Sequence, residues 1–165
     1  MQNPDFKFIS ASVARFIAFG FGSGLSPRAP GTVGSLVGVV LFFLLALFLS
    51  SNIILGLLVF YFAVGVWACE ITGRDLGVAD HGGMVWDEIV AMMLVLVFTP
   101  VGLVWYGLAF ALFRLFDIWK PFPISYLDKK CKGGFGVMID DIAAALFAIA
   151  IIFAVREYFA MMERV

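Results

Sequence analysis

The chain has 165 residues, 63% of them hydrophobic and 14% charged, with a formal net charge of -1. A mean hydropathy of +1.06 lies far outside ordinary globular composition and reads as one all-α integral membrane domain over residues 1–165. No basic stripe interleaved with aromatics is present, which sets nucleic acid aside as a partner.

The polar, mixed-charge stretch from Met1 to Ser12 lacks the pattern of a cleaved signal peptide, so none is expected. Residues 11–21 set Phe16, Ile17, Phe19 and Phe21 beside Arg15, which suits an interfacial helix. A Gly-rich segment from Gly20 to Ser35 then runs into the first long apolar stretch, Val33 to Leu49. Thr32 and Ser35 at that helix start offer hydroxyls and free N–H groups suited to phosphate oxygens, and read equally as plain helix caps. The segment is not a Walker loop, because the Gly-Lys-Ser/Thr ending is missing. The second stretch, Ile53 to Cys69, follows the uncharged turn Ser50-Ser51-Asn52. Both stretches reach the lower bound of about 17 residues for a span and read as a crossing and returning hairpin.

The third stretch, Ile89 to Phe113, is interrupted by Thr99-Pro100, and proline breaks or kinks a helix. Two readings follow: one kinked span, or a helix that descends to Phe98, turns at Thr99 to Gly102 and climbs back to Lys120. Lys and Arg collect in cytoplasmic loops, which favours the return. It puts Lys7, Arg15, Arg28, Arg74, Arg114, Lys120, Lys129, Lys130 and Lys132 on one side and leaves Arg156 and Arg164 opposite. The last stretch, Ile142 to Val155, is short for a span unless it continues towards Met162. The expected fold is a compact bundle of about five membrane-embedded helices plus an N-terminal interfacial helix, with a hairpin broken at Pro100.

In so apolar a chain the charged clusters stand out. Asp87-Glu88 and Asp140-Asp141 are each placed at the entrance of an apolar helix, where acids complement the helix dipole. Taken together on one membrane face, they read as hard oxygen ligands for Mg²⁺ rather than zinc. Arg114, Asp117 and Lys120, at i, i+3 spacing, read as an anion grip or as a simple ion-pair ladder. His81 is the only histidine, and a loop histidine is more often solvated than catalytic. Cys69 and Cys131 lack metal-site spacing and read as two reduced thiols.

Four motifs, in order, resemble a known family: Gly22-Ser23-Gly24-Leu25-Ser26-Pro27 with Pro30-Gly31-Thr32-x-Gly34-Ser35; Asp80-His81-Gly82-Gly83-x-Val85-Trp86-Asp87-Glu88; Arg114-x-Phe116-Asp117-Ile118-Trp119-Lys120-Pro121-Phe122-Pro123; and Gly133-Gly134-x-Gly136-Val137-Met138-Ile139-Asp140-Asp141. The chain resembles bacterial phosphatidylglycerophosphatase A from about residue 20 to 146, with Ala91 and Ala145 where glycine is expected. The resemblance implies an inner-membrane, multi-pass enzyme with its site facing the cytoplasm. It would use Mg²⁺ to release the terminal phosphate of phosphatidylglycerophosphate, giving phosphatidylglycerol.

On the residues, the resemblance implies Asp87, Glu88, Asp140 and Asp141 at the metal. Arg28, Thr32, Ser35, Arg114 and Lys120 would then meet the substrate, with Asp80 or Asp117 as base, or Asp117 as a covalent nucleophile. The competing expectations are a phosphatase for another lipid monoester such as phosphatidic acid, and a small membrane transporter or assembly protein. The motifs fix no oligomeric state.

Overall fold

The computed structural model describes residues 4–162, and among them the regular structure is all helical. In chain order the helices are α1 Phe6–Ser10, α2 Val13–Ala18, a 3-10 segment Gly20–Leu25, α3 Pro30–Ala46, α4 Ser51–Leu76, α5 Trp86–Val97, α6 Leu103–Trp119, α7 Ile124–Lys130 and α8 Gly133–Met162. The expected signal-free N-terminus lies partly outside the described residues, as does Arg164.

Helix α5 forms the axis of the molecule. After Glu88 it carries only apolar residues, and a helix apolar all round must be covered all round. Ile89, Val90, Ala91, Met92, Met93, Val95 and Leu96 are buried, and α3, α4, α6 and α8 pack around them. Glycine lets α3 lie directly on α5: a Cβ on Gly38 would stand 2.7 Å from the Ile89 carbonyl oxygen. Helices α4 and α8 touch backbone to backbone, since a Cβ on Gly134 would stand 2.0 Å from the Val66 carbonyl oxygen. Ala91 and Ala145, the positions where glycine was expected, are fully buried, so alanine is small enough for the packing there.

The third apolar stretch is two helices. The Thr99 hydroxyl donates back to the Val95 carbonyl at 2.8 Å, Pro100 prevents continuation, and Gly102 turns the chain at φ 151. Helix α6 then returns antiparallel to α5, because Arg114 near its end stands 3.8 Å from Glu88 at the start of α5. This selects the returning hairpin over the single kinked span.

Several expectations need correction. The turn before α4 ends at Ser50, the N-cap, and Ser51 and Asn52 already belong to the helix. Helices α3 and α4 are consecutive but hardly packed together; α3 lies against α5, and α4 against α8, α2 and α5. The last apolar stretch belongs to a 30-residue helix starting at Gly133, so Asp140-Asp141 lies about two turns inside α8 rather than at its entrance. Residues 11–21 form not one helix but α2 and part of the 3-10 segment, with Ala14 and Ala18 buried.

Helices α4 and α8 are long and apolar enough to cross a membrane. The same end of the bundle holds the C-terminus of α4 and the N-terminus of α8, joined by a hydrogen bond from the Gly134 N–H to Glu70 Oε2 at 2.7 Å. Arg15 of α2 reaches Asp75 of α4 there at 2.7 Å.

Candidate active site

At this end Asp87 and Glu88, in the first turn of α5, meet Asp141 of α8. One carboxylate oxygen from each lies within 4.8 Å of the others. Asp87 and Glu88 do lie in the first turn of α5, but Asp141 is well inside its helix, so a helix start does not account for the three together. Asp87 Oδ1, Glu88 Oε2 and Asp141 Oδ2 are buried without a hydrogen-bond partner. Three converging carboxylates with orphaned oxygens repel one another and lack donors, an arrangement that a bound divalent cation would satisfy. An all-oxygen donor set matches Mg²⁺.

Arg114 closes one side of the cluster. Its Nη1 stands 2.5 Å from Asp117 Oδ2 and 3.8 Å from Glu88 Oε1, and it donates to the Ser35 hydroxyl at 3.4 Å. The Ser35 hydroxyl itself donates to the Gly31 carbonyl at 2.8 Å. The Arg114 Nε is buried and has no partner among the described residues. Gly31 makes room for this meeting, since a Cβ there would stand 2.2 Å from Glu88 Oε1 and 3.1 Å from both guanidinium terminal nitrogens.

The expected Arg114-Asp117-Lys120 ladder divides in two. Lys120 leaves the helix in the left-handed conformation at φ 45, which turns its side chain away from Asp117. It pairs instead with Asp128 at 2.9 Å and, in close contact, with Asp140. Asp140 therefore lies outside the group of three, with one oxygen held by the lysine and its Oδ1, like theirs, buried without a partner. Burial opposes the Lys120 charge, but hydrogen bonds from its ammonium to Asp140 and Asp128 outweigh it and hold its pKa above the usual lysine value. The Lys120 hydrogen bond likewise holds the Asp128 carboxyl below the usual range.

Asp80 lies on the loop before α5, open to solvent at its rim. The chain packed around its carboxyl nevertheless raises its pKa, against the pull of Lys120. Neighbouring His81 serves the loop: its Nδ1 accepts the Gly83 N–H at 3.0 Å, and its ring lies 5.8 Å from that of Phe19. Thr32 uses its N–H within the helix, donating to the Ala29 carbonyl at 3.0 Å, and no side chain caps α3. Arg28 is exposed and is not brought to the acids. Cys69 and Cys131 are free thiols.

The sequence reading missed Asp128 and Glu70. Asp128 sits on α7, a helix hidden in what looks like a polar loop; Pro121 and Pro123 just before Ile124 are a helix-start signal that could have revealed it. Glu70 looks like the polar end of a span, yet it fixes the start of α8.

The family model described as Phosphatidylglycerophosphatase A matches residues 16–156. The chain belongs to the phosphatidylglycerophosphatase A family. A phosphatidylglycerophosphatase A of Haemophilus influenzae is 46% identical over 158 residues, covering 95% of this chain and 97% of the relative. That of Escherichia coli K12 is 39% identical over 143 residues, covering 86% and 83%. A Bacteroides thetaiotaomicron protein named provisionally as a phosphatidylinositol-3-phosphatase is 37% identical over 163 residues, covering 94% and 98%. No solved structure matches the chain. Membership makes the chain an enzyme, as expected, rather than a transporter or assembly protein.

Proposed function

We propose that this chain hydrolyses the terminal phosphate of phosphatidylglycerophosphate, with Mg²⁺, to give phosphatidylglycerol and inorganic phosphate. It does so as a single domain in the bacterial inner membrane. The observation that carries the reading is the convergence of Asp87, Glu88 and Asp141 beside the half-buried Arg114, in a chain of this family.

An apolar outer surface supports membrane embedding. Leu36, Val40 and Leu44 of α3, Val59 and Phe60 of α4, and Leu103 and Val104 of α6 are all exposed, more than a water-soluble monomer tolerates. Helices α3, α4, α5, α6 and α8 form the embedded set. The short α5 is re-entrant and enclosed by protein, the setting in which broken backbone is tolerated at membrane depth. Arg15, Arg74, Arg114 and Lys120 share the end that holds the acids, which orients that end to the cytoplasm.

Asp87, Glu88 and Asp141 would hold the metal. When bound, Mg²⁺ supplies positive charge that polarises the phosphoryl group and favours ionisation of nearby water. Arg114 is held by Asp117, Ser35 and Glu88, so its guanidinium charge stands fixed beside the acids for a phosphate oxygen. The start of α3 adds its partial positive charge. Lys120 supplies a second cation, positioned by Asp128 and Asp140. Arg28, exposed near the α3 entrance, lies where a headgroup approaches from water.

Asp80 is the better base: it is reached by solvent, and its raised pKa favours taking a proton from attacking water. Asp117 is engaged by Arg114 and acts by holding it. Phosphate-ester hydrolysis needs acceleration up to ~10²¹-fold, and fixed charge around the phosphoryl group provides much of such gains in general.

Purified protein in detergent micelles should release phosphate from phosphatidylglycerophosphate faster than from phosphatidate or phosphatidylinositol 3-phosphate, and lose that activity on chelation. An Asp87→Asn variant that folds yet keeps the full Mg²⁺-dependent rate would sink the metal assignment. Labelled phosphate trapped on Asp117 would replace direct water attack with a covalent route.

A further inference from the structure

Below the acids, α4, α5 and α8 leave an open groove of about 270 Å³. Its walls include Leu55, Leu58 and Phe62 of α4, Val90 and Leu94 of α5, and Ile142 of α8, and they offer no polar surface. Asp87, Val90 and Leu94 stand at i, i+3 and i+7, along one stripe of α5, and on α8 the lining residues Ile139 and Ile142 bracket Asp140-Asp141 in height along the helix. The groove therefore begins within a turn of the carboxylate cluster and runs away from it towards the apolar middle of the bundle.

Its lining selects an occupant. From Phe62 to Leu55 it runs about 10 Å at the helical rise, and it opens to the outside of the bundle along the exposed Val59. Water would find no hydrogen-bonding partner there. A hydrocarbon chain fits the lining, and it is the apolar part of a lipid substrate.

We propose that the groove takes one acyl chain of the substrate lipid and so fixes the depth at which its phosphate meets Asp87, Glu88 and Asp141; this rests on the lipid-phosphatase reading above. The groove gains little by apolarity, because bilayer and groove are equally apolar. What it supplies is position. A misplacement of about 1 Å at the reacting phosphate can cost about 100-fold in rate.

The test uses purified full-length protein in nonionic micelles and two substrates: long-chain phosphatidylglycerophosphate, and its deacylated water-soluble analogue. Leu94→Trp fills the groove, Val59→Trp narrows its exposed rim, and Leu146→Trp enlarges an exposed apolar residue of α8 that is not part of the lining. The expected result is a fall of about 10-fold or more in kcat/KM for the long-chain substrate with both groove variants. Release from the deacylated analogue should be unchanged, and Leu146→Trp should have no effect. If Leu94→Trp lowers both activities together, its fold is damaged and the rim variant decides. Equal kcat/KM for wild type and Val59→Trp on the long-chain lipid overturns the proposal. Wild-type protein inactive on both substrates would instead refute the phosphatase reading itself. A photoreactive group at mid-chain of the long substrate should label residues 55–62 and 90–94. Labelling spread evenly over Phe43, Leu103 and Phe153 would mean ordinary boundary lipid and would also overturn it.

Discussion

Replacing Gly31 with alanine separates the stability of this protein from its activity. Gly31 lies in the first turn of α3 with its neighbours in helical geometry, so alanine meets no backbone penalty and gains at most about 1 kcal/mol of helix propensity. The new Cβ would stand 2.2 Å from Glu88 Oε1, and ordinary contact begins at 3.4 Å. The carboxylate must therefore retreat by about 1.2 Å, and because it is the tip of a side chain the fold absorbs the move. The site does not: a shift of about 1 Å at a reacting or metal-binding group costs about 100-fold, or about 2.7 kcal/mol of barrier. Phosphate release measured against Mg²⁺ concentration should show a lower rate and a higher Mg²⁺ requirement, with an unchanged melting temperature in detergent. Gly56→Ala, whose Cβ meets nothing within 4 Å, serves as the matched control. Wild-type rate and Mg²⁺ dependence in Gly31→Ala would refute the placement of Glu88 and Arg114 at the site.

Arg114→Lys keeps the charge but loses the planar fork that reaches Asp117, Ser35 and Glu88 together. A drop of about 10²–10³-fold in kcat is expected, checked by phosphate release. Gly134→Ala drives a Cβ into the Val66 carbonyl oxygen and the Glu70 backbone nitrogen at 2.6 Å. Backbone cannot swing aside like a carboxylate tip, so overpacking should destabilise by about 1–3 kcal/mol or more, read as a lowered detergent melting temperature. The Asp128 carboxyl has a folded pKa below its unfolded value, so its stabilisation is present above about pH 4 and lost as pH falls through the folded pKa. Asp128→Asn should flatten the acid-side decline in melting temperature between about pH 5 and 2, and leave the neutral-pH dependence unchanged.

The apolar stretches made the helices legible, and Thr99-Pro100 made the hairpin legible, because proline's missing donor acts locally. The acid pairs stood out as a candidate site because charge is scarce in this chain. What could not be read was tertiary in origin. Gly133-Gly134 looks like a loop, yet it starts α8 because Glu70 receives the Gly134 N–H and Val66 admits no larger residue. That early start carries Asp140-Asp141 into the helix and places only Asp141 with the other acids. Periodicity put Lys120 on the Arg114 face, but its left-handed backbone sends it to Asp128 and Asp140. Thr32 and Ser35 followed cap preference, while the fold uses Ser35 to support Arg114.

Helices α3, α5 and α6 have 17, 12 and 17 residues, whereas α4 and α8 have 26 and 30. At about 1.5 Å per residue none of the first three matches a hydrocarbon core of about 30 Å. Helix α5 is enclosed by protein, but α3 and α6 have exposed apolar faces, and in a bilayer the lipid beside them would thin to meet their shorter length. The dimple would lie beside Gly31, Arg114 and Glu88, lowering nearby headgroups towards them. On the lipid-phosphatase reading proposed above, phosphate release would then depend on acyl length in the host membrane as well as in the substrate.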